Sequence, residues 1–388
     1  MPETVYLDHA ATTPLRSEAR AAMEPYLTCN YGNPSSIYRM AQDARSALDR
    51  ARDVVAGCLG ARPGEIIFTS GGTESNNAAI KGAVLARRDS GRHIVTTAIE
   101  HHAVLHPIEE LTERFGFECT VVPVGRGGIV AVSEVERAIR DDTVLVSVMW
   151  ANNEIGTIQP VDEIARVARR RGVAIHVDAV QAIGSLKIDL SSTPLDFLSI
   201  SAHKFYGPKG VGALFVRAGT PWWALLTGGG QERNRRAGTE NVSGIVGMSR
   251  ALELAVSERE SANARVQGLR DFLLNEIRSR ITGVFVNGDM KQRLPGNLNL
   301  SFESVHGESL LVALDLAGTM ASSGSACTSG SLEPSHVLLA IGLSDALAQG
   351  SLRLTVGREN TRAEMERTVD VLEGIVSRLR SLAPAAAV

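Results

Sequence analysis

A lysine lies in a polar, glycine-rich turn between two apolar segments that predict buried strands. The segments are 195–200 and 211–216, and Lys204 lies in the stretch 201–212 that joins them. Partial burial of a lysine favours its neutral amine, and a neutral amine is a nucleophile toward an aldehyde. The turn therefore predicts a lysine that forms a Schiff base. The alternative interpretation is a surface hairpin whose lysine is solvated.

An acid at the end of another apolar segment favours the first interpretation. The segment 173–177 predicts a buried strand, and Asp178 follows it directly. A carboxylate at the end of a buried strand needs a partner. The protonated pyridine nitrogen of pyridoxal phosphate (PLP) is such a partner, because it allows the ring to act as an electron sink. Asp178 precedes Lys204 by 26 positions (204 − 178), which leaves room for a connection and one more strand.

A second polar turn could bind the phosphate of such a cofactor. Gly71, Gly72 and Thr73 lie between a strand predicted at 65–69 and a helix predicted to reach about residue 88. Backbone N–H groups at a helix start, with a nearby hydroxyl, form an anion-binding site. An ordinary glycine turn capped by Thr73 explains the same residues. The chain has no Gly-x-Gly-x-x-Gly between a strand and a helix and no Walker-type phosphate loop, which disfavours nucleotide binding.

Further polar side chains follow predicted strands at the carboxyl edge of the sheet, where α/β proteins bind ligands. Either His101 or His102 could stack on a flat ring and move protons, although a histidine that faces water at a helix start is the alternative. Either Asn152 or Asn153 could bind a ring hydroxyl or a carboxylate, or both could belong to an ordinary turn. Arg353 opens an apolar strand and could bind a carboxylate in bidentate fashion or form a structural ion pair.

One cysteine differs from the other three in its surroundings. Cys327 lies in the small-residue run 321–331, which predicts an exposed loop and a thiol that can react. Cys58 and Cys119 lie in apolar periodic segments that predict core positions, and Cys29 has no assigned role. The four cysteines form no Cys-x-x-Cys pair, so we expect neither a zinc site nor a disulfide framework, and a reducing compartment is favoured.

Composition predicts a globular enzyme with a sizeable core. The chain has 388 residues, is 44% hydrophobic and carries a formal net charge of −3. This length suits two domains, and the near-neutral charge without a long basic run argues against nucleic-acid binding. The first residues lack the apolar region of a signal peptide, and no uncharged apolar stretch is long enough to span a bilayer. We therefore expect a cytoplasmic protein with no membrane partner.

Strands and helices alternate up to about residue 242, which predicts an α/β fold with a mainly parallel sheet between layers of helices. The pattern then changes. A long amphipathic helix at 244–280 is predicted to lead into a smaller α+β unit. The charged loop 235–241 lies between the two parts and could contact a phosphate or a partner subunit.

These motifs together resemble those of the cysteine desulfurases of the nitrogen-fixation and iron–sulfur-cluster type, within the class V aminotransferase-like PLP enzymes. The resemblance extends from Tyr6 to the strand near Arg353. Its most specific motifs are Ser-Gly-Gly-Thr-Glu-Ser-Asn at 70–76, Glu-His at 100–101, Asn-Asn-Glu-Ile-Gly at 152–156, His-Val-Asp-Ala-Val-Gln at 176–181, Ser-Ala-His-Lys at 201–204, Arg-Ala-Gly-Thr-Glu-Asn at 236–241 and Ser-Ser-Gly-Ser-Ala-Cys at 322–327.

The resemblance implies a fold type I PLP-dependent transferase. A large PLP-binding domain, residues 15–260, would hold a mainly parallel seven-stranded sheet. A smaller C-terminal α+β domain, formed by residues 1–14 and 261–388, would carry the catalytic cysteine loop at about 321–332.

The resemblance also implies a role for each candidate residue. Lys204 forms the Schiff base and moves the Cα proton, Cys327 is the nucleophile, and His101 stacks on the ring and helps in proton transfer. The implied cofactor-binding residues are Asp178 for the pyridine nitrogen, Gln181 for the ring hydroxyl, Gly72, Thr73, Ser201 and His203 for the phosphate, Thr239 for the phosphate of the second subunit of a homodimer, and Asn153. Asn153 and Arg353 are the implied residues for the substrate carboxylate. His102 is left without a role.

The implied reaction is the removal of sulfur from L-cysteine, which gives L-alanine and a persulfide on Cys327. A sulfur-acceptor protein such as an iron–sulfur scaffold would take the sulfur, with tRNA thiolation and DNA sulfur modification as other destinations. No metal is expected beyond transient iron–sulfur ligation by Cys327. The alternatives are a selenocysteine lyase or a small-amino-acid aminotransferase of the same fold, and a non-catalytic assembly scaffold. Cys327 argues against the aminotransferase, and the set Lys204, Asp178, His101 and Cys327 argues against the scaffold.

Overall fold

The computed structural model describes residues 4–323 and 334–382, which contain the following strands and helices. The strands are β1 (Val5–Tyr6), β2 (Ile66–Thr69), β3 (His93–Thr97), β4 (Glu118–Val122), β5 (Thr143–Met149), β6 (Ala174–Asp178), β7 (Phe197–Ser201), β8 (Gly212–Val216), β9 (Val284–Val286), β10 (Asn297–Phe302), β11 (Thr319–Met320) and β12 (Ser351–Thr355). The helices are α1 (Ser17–Thr28), α2 (Arg39–Leu59), α3 (Gly72–Ala86), α4 (His102–Phe115), α5 (Val132–Ala138), α6 (Val161–Arg170), α7 (Val242–Ser257), α8 (Arg259–Arg280), α9 (Gly307–Leu316), α10 (His336–Ala340), α11 (Asp345–Gln349) and α12 (Arg362–Leu382).

The largest sheet has seven strands in the order β2-β8-β7-β6-β5-β3-β4. All neighbouring strands run parallel except where β8 pairs with β2 and with β7. The predicted mainly parallel seven-stranded sheet is therefore confirmed. Because the central strands run in one direction, the residues that follow β5, β6 and β7 meet at one edge of the sheet.

Helices cover both faces of this sheet. Successive residues of a strand point to opposite faces. In β3, Ile94 packs in the apolar cluster that includes α3 and α4, whereas Val95 packs in the cluster that includes α2, α6 and α7. Nearly every residue of the central strands is buried, which explains why these strands are continuous apolar runs without alternation.

A second group of elements has its own apolar cluster. Strands β12, β10 and β9 form a three-stranded antiparallel sheet in that order. Residues of α8, α9 and α12 pack against this sheet, and Val5 and Leu7 from the start of the chain join the same cluster. Strand β1 pairs in parallel with β11. The beginning of the chain is therefore tied to elements that lie more than 300 residues later in the sequence.

The predicted single helix at 244–280 is wrong, because the chain bends at Glu258 between α7 and α8. The carboxylate of Glu258 accepts hydrogen bonds from the guanidinium of buried Arg16, at 3.0 and 3.4 Å. Helix α7 packs on α1 and α2, whereas α8 packs on α12 and β10. The bend lets one continuous amphipathic segment serve both apolar clusters, and a periodic sequence does not reveal it.

Among the described helices, none combines the length and the apolar character that a bilayer crossing requires.

Candidate active site

One cavity of about 370 Å³ lies at the carboxyl edge of the large sheet. Met149, Asp178 and Ser201 are the last residues of β5, β6 and β7, and all three line it. Ten predicted site residues line it together: Gly72, Thr73, His101, Asn153, Asp178, Gln181, Ser201, His203, Lys204 and Arg353. The volume is within the usual range for a small-molecule site.

The amine of Lys204 reaches this cavity from the short helical turn that follows β7. Its Nζ donates hydrogen bonds to the carbonyl oxygens of Ala10, at 2.5 Å, and Ala11, at 2.8 Å. The N–H and the hydroxyl of Thr13 both donate to the carbonyl oxygen of His203, which fixes this early segment beside the lysine. The sequence predicted the lysine but not the backbone segment that holds it.

The carboxylate of Asp178 is buried and held in one orientation. Its Oδ2 accepts a hydrogen bond from Asn76 Nδ2 at 2.7 Å, and its Oδ1 accepts one from the N–H of Val180 at 2.9 Å. Asn76 lies in α3, 102 positions earlier in the chain. No role for Asn76 was predicted. The available signal was a polar residue in the buried part of a helix that begins at the glycine turn.

His101 caps α4 and has a defined tautomer. Its Nδ1 accepts a hydrogen bond from the N–H of Ala103 at 3.0 Å, so the proton of the neutral ring is on Nε2. Burial lowers the pKa of His101, Asp178 raises it, and Lys204 lowers it further. The net lowering keeps the ring neutral at pH 7. His102 does not line the cavity, so the geometry supports the choice of His101.

The two neighbouring asparagines, Asn152 and Asn153, also differ in their surroundings. Asn152 is fully buried, and its amide donates to the carbonyl oxygen of Ile99 and accepts from the N–H groups of Glu154 and Ile155. Asn152 therefore shapes the turn after β5, whereas Asn153 lines the cavity.

The glycine turn at the start of α3 lies at the same cavity. Gly71 has φ +151°, a conformation that favours glycine. A Cβ added to Gly72, the first residue of α3, would lie 2.7 Å from Cγ2 of Val180. The lack of side chains thus leaves the N-terminus of a 15-residue helix open to an anion.

His203 lies near this turn and is neutral at pH 7. Burial, together with the positive charges of Lys204 and Lys209, lowers the pKa of His203 to about 4. Its Nδ1 lies 3.1 Å from the hydroxyl of Thr12. A neutral imidazole can donate one hydrogen bond to an anion without contributing charge.

Arg353 supplies a buried positive charge to the cavity from β12. Its Nη2 donates to Asp8 Oδ1 at 2.8 Å and its Nη1 donates to the carbonyl oxygen of Asn153 at 3.1 Å. Its Nε is buried and has no hydrogen-bond partner among the described residues. Two of the five N–H groups of the guanidinium are thus used within the described chain, and a guanidinium with unused donors is suited to a carboxylate ligand.

Two buried carboxyl groups near the cavity were not predicted. Burial raises the pKa of Glu100 to about 8, and its Oε1 accepts hydrogen bonds from Thr97 and from the N–H of Met149. Burial also raises the pKa of Glu154 to about 7, and its Oε2 accepts a hydrogen bond from Ser335 at 2.5 Å. Glu100 precedes His101 and Glu154 follows Asn153 in the sequence. This adjacency to predicted site residues was the only feature of the sequence that could have indicated the two glutamates.

One predicted residue within the described ranges is not brought to the cavity of this chain. Thr239 is exposed and does not line it. Cys327 lies outside the described residues. On either side of the segment 324–333, the described chain contacts a residue that lines the cavity or the neighbour of one. Ser322 pairs with the backbone of Arg353, and Ser335 binds Glu154, the neighbour of Asn153.

No group of three or more histidine, cysteine, aspartate or glutamate side chains in the described ranges has the geometry of a metal site.

The fold and the cavity, with a lysine amine and an oriented carboxylate at the carboxyl edge of the sheet, define a PLP-dependent transferase of fold type I. The aminotransferase class-V family model matches residues 5–368, and the chain belongs to this family.

Within it, the chain is a member of the cysteine desulfurases. It is 51% identical to the cysteine desulfurase IscS of Dictyoglomus turgidum, over 99% of this chain and 97% of that protein. It is 52% identical to the IscS of Methanosarcina thermophila, over 98% of this chain and 94% of that protein. A solved NifS-like protein is similar in structure, with a TM-score of 0.92, 38% identity and coverage of 97% of this chain and 100% of that chain.

The residues at the cavity fit PLP, the cofactor of this family. An amine for the aldehyde, a buried carboxylate for the ring nitrogen and a helix N-terminus for the phosphate lie around one cavity. The guanidinium of Arg353, of which two N–H groups are used within the described chain, is a further observation that suits an anionic ligand.

Proposed function

We propose that this enzyme removes sulfur from L-cysteine, releases L-alanine and retains the sulfur as a persulfide on Cys327 until an acceptor protein takes it. The observation that carries the proposal is the position of Lys204, Asp178 and Arg353 around one cavity in a cysteine desulfurase fold. These three groups match the aldehyde, the ring nitrogen and the substrate carboxylate.

The roles of the binding residues follow from their positions. When bound, PLP supplies an aldehyde that reacts with amines and a ring that accepts the electrons of a breaking Cα–H bond. Asp178 keeps the ring nitrogen protonated, and Asn76 and the N–H of Val180 keep Asp178 in place. Gln181 binds the ring hydroxyl. Neutral His101 stacks on the ring.

The phosphate and the substrate carboxylate have separate sites in this proposal. Gly72, Thr73, Ser201 and His203 bind the phosphate at the start of α3. Asn153 and Arg353 bind the carboxylate of L-cysteine. Because Arg353 is fixed by Asp8, the substrate is held in one orientation, with its Cα near Lys204. The amine of Lys204 then takes the proton from Cα.

Cys327 performs the sulfur transfer. Its thiolate attacks the sulfur atom of the substrate, so that a sulfur–sulfur bond forms and the carbon–sulfur bond breaks. The electron pair of the broken bond stays with the carbon, which takes up a proton and leaves as alanine. The contacts of Ser322 with Arg353 and of Ser335 with Glu154 support this role, because these described residues flank the segment that contains Cys327.

We also propose that the enzyme is a cytoplasmic homodimer. In the dimer, Thr239 of one subunit reaches the phosphate bound in the other subunit, and the exposure of Thr239 supports this contact. An iron–sulfur scaffold is the proposed acceptor. The separate apolar cluster that Val5 and Leu7 share with α8, α9, α12 and the three-stranded sheet supports a division into residues 15–260 and residues 1–14 with 261–388.

The test is to add L-cysteine and a reductant to the purified protein and to measure sulfide and alanine together. We expect equal amounts of both. Cys327→Ala should form neither while its visible absorbance band remains. Cys29→Ala, which removes an exposed thiol elsewhere, is the matched control and should keep full activity.

The remaining thiols should not replace Cys327, because burial raises the pKa values of Cys58 and Cys119 to about 11. Alanine formation by Cys327→Ala at the wild-type rate would refute the assignment. A yellow protein that forms neither product would exclude desulfurase activity.

A further inference from the structure

Three consecutive residues other than glycine have left-handed backbone conformations. Glu232, Arg233 and Asn234 have φ values of 46°, 58° and 64°. Asparagine adopts this conformation readily, but glutamate and arginine seldom do, and a run of such residues is unfavourable. A conformation of this kind persists only where surrounding contacts impose it, and such sites are often functional. The contacts that impose it here are therefore informative.

A buried ion pair fixes the first of these residues. Arg52 Nη2 lies 2.6 Å from Glu232 Oε1, and Arg52 Nη1 lies 2.9 Å from Oε2. Both side chains are less than 10% exposed. Burial of two charges is favourable only if their geometry is good and their other hydrogen-bonding positions are used. This pair meets both conditions, since its contacts extend to the backbone of β2.

The ion pair forms hydrogen bonds with unpaired backbone groups at one edge of the large sheet. Strand β2 is an edge strand, because β8 is its only partner among the described strands. On its other side, the N–H of Phe68 donates to Glu232 Oε2 at 3.0 Å, and the carbonyl oxygen of Ile66 accepts from Arg52 Nη1 at 2.7 Å. The pair thus binds the turn 231–234 to the strand that leads directly into the glycine turn at the cavity.

Two more contacts fix the part of the loop that lies directly before Thr239. The side-chain oxygen of Gln231 accepts a hydrogen bond from the N–H of Gly238 at 3.1 Å. The guanidinium of Arg236 binds the carboxylate of Glu74 in bidentate fashion, at 2.9 and 3.1 Å, and Glu74 lies in the first turn of α3. The loop 231–241 is therefore fixed on both sides of the glycine turn, while Thr239 itself is exposed.

We propose that Arg52 and Glu232 are positioning residues that hold the loop 231–241 so that Thr239 is presented to the phosphate of the cofactor bound in a second copy of the chain. The inference rests on the proposed function, in which Thr239 makes that contact. A loop that must reach another subunit binds more tightly when it is ordered beforehand. The buried ion pair provides this order, and the left-handed turn is the conformation that it maintains.

The test compares PLP with pyridoxal, which lacks the phosphate. Full-length enzyme is loaded with either compound, and its release is followed by the loss of visible absorbance at concentrations where sedimentation shows a dimer. In Glu232→Gln we expect the release of PLP to accelerate about 10-fold and the release of pyridoxal to remain unchanged, because one hydrogen bond to a charged phosphate is affected. Arg52→Lys, which keeps the charge but not the bidentate contact, should act in the same direction.

Thr239→Ala serves as the reference and Arg62→Lys as the matched control. Thr239→Ala should reproduce the selective loss of PLP, and the variant with both Thr239→Ala and Glu232→Gln should lose no more than Thr239→Ala alone. Arg62, which lies just before β2, is exposed and pairs with Glu65, so its replacement should change neither release rate.

The outcomes distinguish the inference from the proposed function. If Thr239→Ala is selective for PLP but Glu232→Gln and Arg52→Lys are not, the positioning role is refuted and the intersubunit contact remains. If Thr239→Ala is not selective either, the contact in the proposed function is wrong, and the inference fails with it. Equal acceleration of PLP and pyridoxal release in Glu232→Gln would indicate a general structural role and would overturn the inference.

Discussion

Replacement of Arg353 with lysine keeps the positive charge at the cavity but removes the planar set of donors. In the structure Nη2 binds Asp8, Nη1 binds the carbonyl oxygen of Asn153, and Nε is unused among the described residues. A substrate carboxylate can bind two of the unused N–H groups at once only while Asp8 and the carbonyl oxygen of Asn153 hold the guanidinium in place. Lysine is a point charge and cannot make both contacts.

The size of the effect follows from the number of bonds lost. One charge-assisted hydrogen bond contributes about 1.5–3 kcal/mol, and about 1.4 kcal/mol corresponds to a factor of ten. Arg353→Lys should therefore raise the KM for L-cysteine by about 10- to 100-fold. The value of kcat should change much less, because the carboxylate is bound equally in the ground state and the transition state.

The assay measures alanine formation as a function of L-cysteine concentration. It is paired with the spectral change that cysteamine produces, since cysteamine is cysteine without the carboxylate. Wild-type enzyme should bind L-cysteine more tightly than cysteamine, and Arg353→Lys should lose most of this preference. Arg358→Lys is the matched control, because Arg358 follows β12 but does not line the cavity. An unchanged preference in Arg353→Lys would refute the assignment of the carboxylate site.

Two further predictions concern buried polar groups. Asn76→Leu removes the donor to Asp178 Oδ2, so kcat should fall about 10-fold with the KM for L-cysteine nearly unchanged, and an unaltered kcat would contradict an orienting role. Burial lowers the pKa of His176 to about 3. Below the ordinary value of 6.5, the unfolded chain binds a proton that the folded chain does not, so stability falls as the pH is lowered. From pH 6.5 to pH 5 this group should cost about 2 kcal/mol of unfolding free energy, measured by urea titration, and His176→Gln should abolish that part of the pH dependence.

Much of the fold was predictable because the sheet is buried on both faces. Continuous apolar runs such as β5 and β7 have few other interpretations in a chain where strands and helices alternate. Polar residues directly after such runs must lie at one edge of a parallel sheet, which is why Asp178 and Lys204 were both predicted at the site. The geometry then supports His101 and Asn153, which the family resemblance had selected over their neighbours.

The contacts that orient these residues could not be predicted, because each joins distant parts of the chain. Asn76 binds Asp178 across 102 positions, and Asp8 binds Arg353 across 345. Periodicity and local propensity contain no information about such pairs. The bend at Glu258 escaped prediction for the same reason, since Arg16, which binds the carboxylate of Glu258, lies 242 positions earlier in the chain.

The most direct measurement of the central claim is the mass of the peptide that contains Cys327 after a single addition of L-cysteine without reductant. The proposed function predicts one additional sulfur atom on this peptide, its transfer to an added thiol and one equivalent of alanine. No added sulfur is expected in Lys204→Ala. Alanine formation with unmodified Cys327, or with the additional sulfur on another cysteine, would contradict the claim.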